Sequence, residues 1–274
     1  MVSNIGKSCG NNRSSFLRWA GSKRQLIPTL SEFWKPTHVR YVEPFAGSAA
    51  LFFHLSPKKA LLGDINEELI DAYRQIRTNL QQVLECLSSL RKSKTEYLRL
   101  RSQDPGKLLL ASKAARFIYL NRYCFNGLYR TNLKGSFNVP YSGNRTGDIP
   151  SPQHFAACAK KLSRAKLICA PFEKTLEQTK KGDFVYMDPP YAVKGRRIFN
   201  EYNPAIFDEA SIERLREWLS ILDEMRVSFL VSYADSDEAR YLAEGFNTRH
   251  VSIKRNISGF AGNRRTDTEL LIYN

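Results

Sequence analysis

The tetrapeptide Asp188-Pro189-Pro190-Tyr191 directly follows an apolar run, Phe184-Val185-Tyr186-Met187. Asp188 offers a side-chain acceptor. Pro189 offers a main-chain carbonyl on a segment stiffened by two fixed φ angles and free of N–H donors, and Tyr191 offers an aromatic face. Two acceptors and a ring suit a planar exocyclic amino group, whose two N–H donors share one plane and whose lone pair is delocalised, making it a poor nucleophile. Acceptors that hold both hydrogens favour pyramidalisation and localise the lone pair toward an electrophile. The competing reading is a plain strand-ending turn, since Pro-Pro pairs are common turn material. An acid before the pair, a tyrosine after it and a strand end, where open α/β sheets bind ligands, favour chemistry.

Two further segments complement it. Glu43-Pro44-Phe45-Ala46-Gly47-Ser48-Ala49-Ala50 reads as a strand-to-helix turn, with Asp64 at the end of the next strand. Such a turn lets a ligand approach the backbone, and the acid can accept from ribose hydroxyls. Only Gly47 is present and Ala49 stands where a second glycine is expected, so the pyrophosphate-cradling G-x-G-x-x-G is absent. That argues against a dinucleotide and leaves room for a nucleoside cofactor without a pyrophosphate. Phe16-Leu17-Arg18-Trp19-Ala20-Gly21-Ser22-Lys23-Arg24 joins aromatics, a glycine and cations at a helix start, where free N–H groups attract an anionic end such as a carboxylate. Trp19 as simple core with solvated cations is an equally good reading of that segment alone.

The elements around these residues follow from periodicity. Lys23–Trp34 reads as an amphipathic helix, with Leu26, Ile27, Leu30, Phe33 and Trp34 on one face and Pro28 tolerable only near its first turn. Strands at Val39–Val42 and Ala60–Gly63, each followed by a helix (49–55 and about Asn66–Leu80), open a parallel sheet. From about residue 73 to 164 the pattern turns helical (Val83–Leu90, Leu108–Tyr123), then Gly/Asn-rich from Asn126 to Pro152. Alternation resumes with Lys166–Ala170, Phe184–Met187, a helix over Asp208–Met225 (Ile212, Leu215, Trp218, Leu219 and Leu222 inward), Ser228–Tyr233 and Glu269–Tyr273. One α/β unit is therefore interrupted by a basic, mostly helical insert.

The insert holds the charge. The 274-residue chain carries a net +15, and Arg91–Ala170 contains sixteen Lys/Arg against three acids (Glu96, Asp104, Asp148), which is +13 of that total. Seven aromatics (Phe117, Tyr119, Tyr123, Phe125, Tyr129, Phe137, Tyr141) interleave with Arg116, Arg122, Arg130, Lys134 and Arg145. Cations neutralise phosphates and rings stack on or wedge between bases, so the combination favours nucleic acid over a merely solvated helix face, although some of the rings must be core. With 42% hydrophobic and 25% charged residues, disorder and collagen are excluded. No apolar run reaches the roughly 18 residues of a membrane span. The polar start lacks a secretory core, and five scattered cysteines and four isolated histidines show no metal spacing. A cytoplasmic, nucleic-acid-associated protein with reduced thiols, no membrane partner and no metal is expected.

Taken together, FLRWAGSK, EPFAGSAALF, LLGDINEELI, YLNRYCFNGLYRTNLKGSFNVPY, FVYMDPPYA and the closing KRNISGFAGNRRTDTELLIYN resemble the Dam-like DNA adenine-N6 methyltransferases, in that family's motif order and over most of the chain. The resemblance implies an α/β fold: a Rossmann-like methyltransferase sheet with helices on both faces, interrupted by a mostly helical target-recognition insert. It divides the chain into a catalytic domain, residues 1–72 and 165–274, and a basic DNA target-recognition domain, 73–164. It implies S-adenosyl-L-methionine as cofactor, with Trp19, Lys23, Asp64 and Asp188 as contacts. Gly21, Glu43, Phe45 and Gly47 join them as the expected cofactor site, and Asp188, Pro189, Pro190 and Tyr191 form the catalytic tetrapeptide. Arg122 to Pro140 matches the DNA-reading part, with Phe125 and Asn126 at the residues that wedge beside a flipped base and Arg130 at a base-reading arginine. Arg18 stands where the family often has a base-contacting lysine. Leu128, Asn138 and Pro140 complete the expected DNA surface. Gly21-Ser22-Lys23 departs from the common Gly-Gly-Lys, and Tyr141-Ser142-Gly143-Asn144 replaces the Phe-Gly-Arg that GATC-reading members tend to carry.

The expected reaction is direct methyl transfer to N6 of an adenine flipped out of duplex DNA, with GATC as the candidate site. A monomer is expected, with dimerisation on DNA left open. The alternatives are another amino group (cytosine N4, an RNA base or a glutamine side chain) and a basic DNA-binding module without chemistry. Asp at the first motif position favours adenine by resemblance, and intact Asp188-Pro189-Pro190-Tyr191 and Asp64 speak against lost chemistry.

Overall fold

The computed structural model describes the backbone of residues 14–132, 134–143, 147–191, 207–255 and 265–274, and their side chains except at 253–255 and 265–267. Cys9, Asn144, Arg145 and the middle of the closing segment, 256–264, lie outside the described residues.

Seven strands form one sheet: β1 (Arg40–Glu43), β2 (Ala60–Asp64), β3 (Ala165–Cys169), β4 (Asp183–Met187), β5 (Ser228–Ala234), β6 (Asn247–Arg255) and β7 (Arg265–Tyr273), in the order β3-β2-β1-β4-β5-β7-β6. β1 to β5 run parallel, and β7 is antiparallel to both β5 and β6. Strand residues alternate between two apolar layers, as a sheet covered on both faces requires. Tyr41, Leu62, Phe184, Tyr186, Leu230 and Leu271 enter one layer; Val42, Leu61, Val185, Met187, Val231 and Ile272 enter the other.

The first layer is covered by α1 (Ile27–Ser31), α2 (Ala50–Leu55) and α3 (Glu67–Thr78) and runs on without a break into the insert helices α4 (Leu80–Ser88), α5 (Lys94–Ser102), α6 (Leu110–Tyr123) and α7 (Pro152–Leu162). The second is covered by α8 (Phe172–Leu176), α9 (Glu209–Glu224) and α10 (Asp237–Ala243). Side-chain caps start several of these helices: Asn66 accepts from the Leu69 N–H, Ser93 from Glu96, Ser151 from His154 and Asp208 from Ser211. The sheet with helices on both faces and a helical segment between β2 and β3 is the architecture expected of an S-adenosylmethionine-dependent methyltransferase.

Some local expectations change. The helix expected over Lys23–Trp34 is a 3₁₀ turn, Arg24–Leu26, followed by the five-residue α1. Pro28 has no N–H to donate, and it sits in the first turn of α1, where none is needed. Trp218 packs inward against the second layer but stays half-buried. The edge strand β6 escapes notice because most of its side chains are polar, and its partner β7 reaches back beyond Glu269 to Arg265.

Candidate active site

Strand order reverses between β1 and β4, since β1-β2-β3 proceed one way and β4-β5 the other. A doubly wound sheet opens a crevice at the carboxyl ends of such a pair. There the two chemistry-bearing segments meet: Pro44–Ala49 leaves β1, and Asp188-Pro189-Pro190-Tyr191 leaves β4. Two adjoining cavities share Trp19, Phe45, Gly47, Asp188 and Pro190 as walls. One, of about 330 Å³, is also lined by Gly21, Lys23, Glu43, Tyr186, Pro189 and Tyr191. The other, of about 630 Å³, is also lined by Asp64, Phe172 and Phe207. Both volumes suit small-molecule ligands.

The turn after β1 is shaped by close approach. Gly47 has φ 44°, and a Cβ there would lie 2.9 Å from Trp19 Nε1. Its N–H donates to Asp64 Oδ2 (2.9 Å), and its carbonyl accepts from the Tyr73 hydroxyl (2.6 Å). Ala49, where a second glycine was expected, holds a left-handed φ of 48°, a conformation that costs a non-glycine residue roughly 1–2 kcal/mol. The absent glycine is thus replaced by a residue forced into a glycine conformation. Asp64 Oδ1 takes the Asn66 N–H (2.9 Å), so both carboxylate oxygens grip backbone while the side chain borders the larger cavity. Burial pushes the Asp64 carboxyl up against the pull of these N–H groups.

Asp188 sits among buried ionic groups. Lys23 Nζ, on a 6% exposed side chain, lies 3.4 Å from Asp188 Oδ1 and 2.9 Å from Glu269 Oε1, and donates to the Tyr191 hydroxyl at 3.1 Å. The Tyr191 hydroxyl donates to Glu269 at 3.2 Å. The Ser232 hydroxyl reaches Asp188 Oδ1 at 3.4 Å and pairs with Tyr186 Oη at 3.0 Å. The contacts on Asp188 fall on Oδ1, and among the described residues no hydrogen bond falls on Oδ2. Burial pushes the Asp188 carboxyl up to about 6; Lys23 and Ser232 pull it down and Glu269 pushes it further up. Burial opposes the charge on Lys23, yet the two carboxylates outweigh it and raise its pKa. Glu43 is buried, its Oε2 lacks a partner among the described residues, and burial with the charges of Asp188 and Asp64 drives its carboxyl well up. Glu269, Ser232 and Tyr186 were not singled out from sequence; the available signal was one acid leading the apolar run Leu270-Leu271-Ile272.

The expected DNA residues collect elsewhere, on an irregular hairpin between α6 and α7. Bridges Cys124–Tyr141 and Thr131–Phe137 close it, with backbone bonds from Phe125 N to Pro140 O (2.9 Å) and Asn138 N to Arg130 O (3.0 Å). Phe125 (41% exposed), Asn126, Leu128 and Arg130 point outward, and Asn126 holds φ 53°. Arg130 Nε donates to Asn138 Oδ1 at 2.8 Å. Gly127 packs against Arg18, where a Cβ would approach Arg18 Cβ to 2.9 Å, and the Ala20 N–H donates to the Gly127 carbonyl. The hairpin is thereby fastened to the segment that carries Trp19 and Lys23, and Trp19 stacks on Tyr129 (6.4 Å, 13°). At the hairpin base Arg18 Nη1 donates to the Arg122 carbonyl, and Arg122 donates to the Asp148 carbonyl. Burial, with Arg18 and Arg24 alongside, pulls Arg122 down to about 10. Of the interleaved aromatics, Phe117, Tyr119, Tyr123 and Phe137 are core. Arg116 is buried against Glu68 at 2.9 Å, so it belongs to the scaffold rather than to an outward cationic surface.

A model of D12 class N6 adenine-specific DNA methyltransferases matches residues 19–257. The chain is similar to the type II methyltransferase M1.LlaDCHI of Lactococcus lactis subsp. cremoris, 35% identical over 272 residues and 96% of each chain. It is also similar to the type II methyltransferase M.MjaIII of Methanocaldococcus jannaschii (34%, 94% of this chain and 98% of that one) and to the DNA adenine methylase of Vibrio cholerae (31%, 94% of each). A nucleoside-sized crevice at the sheet's switch point, with an acid and a proline pair at its rim, marks a methyltransferase. The chain belongs to the D12 class of N6 adenine-specific DNA methyltransferases, enzymes that use S-adenosylmethionine. Among the described residues no helix is long and apolar enough to cross a membrane.

Proposed function

We propose that the protein transfers a methyl group to N6 of an adenine flipped out of a specific duplex site, with GATC as the target sequence carried by the resemblance of Arg122–Pro140. Residues 1–72 and 165–274 form the catalytic unit and 73–164 the DNA-reading unit, sharing helix α3. The observation that carries this reading is Asp188 and Pro189 together on one cavity wall at the strand tip, with no hydrogen bond on Asp188 Oδ2 among the described residues.

The residues fit the cofactor. Glu43 Oε2 is a buried polar atom without a partner among the described residues, and Trp19 fills the space a side chain at position 47 would need. Asp64, Phe45 and Phe172 suit the nucleoside, while Gly21 and Lys23 suit the charged tail. S-adenosylmethionine supplies an electrophilic sulfonium methyl with a neutral thioether as leaving group.

The chain's own residues prepare the nucleophile. Asp188 Oδ2 and the Pro189 carbonyl accept the two amino hydrogens, Tyr191 lies against the base, and Pro190 keeps the acceptors stiff. As N6 gains the methyl carbon its excess proton passes to the Asp188 carboxylate. On the hairpin, Phe125 fills the gap left by the flipped base, which costs a few kcal/mol to extrude. Asn126 and Leu128 flank it, Arg130 reads guanine with Asn138 steadying its guanidinium, Pro140 anchors the Phe125 N–H, Arg18 takes the place of the family's base-contacting lysine, and Arg122 braces the DNA-reading hairpin at its base. Incubating the enzyme with labelled S-adenosylmethionine and a library of duplexes, then mapping the modified bases, tests the reading. N6-methyladenine within one short sequence is expected; label on cytosine N4 or on glutamine side chains overturns it.

A further inference from the structure

Glu269 belongs to none of the three segments that first marked the site, yet its carboxylate is the counterpart to which both Lys23 and Tyr191 are bound. β7 runs against its neighbour β5, and Glu269 pairs with Ala234 at β5's carboxyl end. An antiparallel strand therefore delivers its earlier residues, not its last ones, to the edge where the chemistry lies. Glu269 is fully buried and starts the apolar run Leu270-Leu271-Ile272, of which all three are core. Replacing a buried ion pair with apolar residues is often neutral or stabilising, so stability alone gives no reason for a carboxylate here.

We propose that Glu269 is a positioning residue for methyl transfer: it holds the Lys23 ammonium beside Asp188 and fixes the Tyr191 hydroxyl next to that ammonium, and its negative charge keeps Lys23 from fully neutralising the Asp188 carboxylate. This rests on Asp188 being the acceptor of the amino group, as set out above. Lys23 Nζ stands closer to Glu269 (2.9 Å) than to Asp188 (3.4 Å), so the cation leans toward the residue that takes no part in the transfer. Asp188 remains the better hydrogen-bond acceptor for it, and Tyr191, fixed at its hydroxyl by two partners, presents its ring in one place. Among the described residues, the groups acting on Asp188 are Lys23 from the N-terminal segment, Tyr41 and Glu43 from β1, Tyr186 from β4, Ser232 from β5 and Glu269 from β7, with the Tyr191 hydroxyl bonded to Lys23 and Glu269.

Asp188 must be ionised to accept the amino hydrogens, and Glu269 raises its pKa while Lys23 lowers it. Removing the Glu269 charge moves the acid limb of the rate profile to lower pH; removing the Lys23 charge moves it to higher pH. The experiment is single-turnover methylation of an adenine-containing duplex as a function of pH, with wild type, E269Q, E269D and K23Q, alongside cofactor affinity and thermal melting. For E269Q the acid limb is expected to shift down by about one unit with a plateau rate several-fold below wild type, since Lys23 and Tyr191 lose their anchor. E269D, which keeps the charge but withdraws it by one methylene, is expected to keep the wild-type limb and lose only plateau rate. An E269Q enzyme with the wild-type limb and plateau overturns the proposal, as does one that merely melts earlier. Should E269Q fail to fold, E269D carries the test, and a wild-type plateau in it overturns the proposal. Absence of N6-methyladenine with the wild-type enzyme strikes instead at the functional reading, so the two failures are distinguishable.

Discussion

At the strand tips, Lys23, Glu269, Tyr186 and Ser232 are buried and bonded to one another around Asp188, whereas on the hairpin Phe125, Asn126, Leu128 and Arg130 face solvent. The two regions are fastened together through Gly127 and Arg18, and through Trp19 stacked on Tyr129. They nevertheless follow opposite physical rules. Electrostatic catalysis needs groups fixed in a low-dielectric site before the substrate arrives, so that no reorganisation is needed at the moment of reaction. Reading DNA needs side chains that meet phosphates and base edges only on contact. Preorganisation buries the charged groups of the first region, whereas the second keeps burial at its base, where Arg122 is pulled down, and presents exposed side chains at its tip.

Substitutions can break this contrast or sharpen it. The largest effect is expected for Asp188→Ala: single-turnover methyl transfer should fall by about 10²–10⁴-fold, while DNA affinity in a binding titration stays at the wild-type level. Next is Arg116→Ala. It removes the buried guanidinium that pairs with half-buried Glu68 and leaves, among the described residues, only the Tyr129 hydroxyl on that carboxylate; breaking a buried pair costs up to about 3–5 kcal/mol of stability in a denaturant melt, with sequence preference unchanged in whatever folded protein remains. Arg130→Ala, in the same basic stretch but exposed, should leave the melt unchanged and relax sequence preference by about 1–3 kcal/mol across a site library. A destabilised Arg130 variant with wild-type preference would place it with Arg116 as scaffold. The smallest expected change is in pH response. The wild-type rate should decline as pH falls through about 6, because the Asp188 carboxylate takes up a proton there and ceases to accept; a rate that is flat through that range would show that Asp188 is not the titrating acceptor.

Much of this organisation was legible from residue types. The apolar run into Asp188, the turn at Gly47 and the acid at Asp64 all fall at the carboxyl edge, because strand periodicity locates strand ends well. The parallel strands, from Arg40–Glu43 to Ser228–Ala234, read clearly because sheets covered on both faces need near-continuous apolar runs. What escaped was set by tertiary partners. Most side chains of β6 are polar, so it lacks an apolar signature. Glu269 reads as an ordinary strand-leading acid until the antiparallel register places it beside Lys23. Arg116 and Arg130 are the same residue type in one basic stretch, and only the fold separates them: Arg116 is buried between Glu68 on α3 and the Leu100 carbonyl, while Arg130 is exposed on the hairpin. Charge density alone therefore overstated how much of the insert faces outward.

The central claim is tested most directly by a crystal structure of the enzyme with a duplex and a cofactor analogue that lacks the transferable methyl. The account predicts an extrahelical adenine with its amino nitrogen within hydrogen-bond reach of both Asp188 Oδ2 and the Pro189 carbonyl. An adenine still stacked in the duplex, or an amino group out of reach of both oxygens, would contradict it.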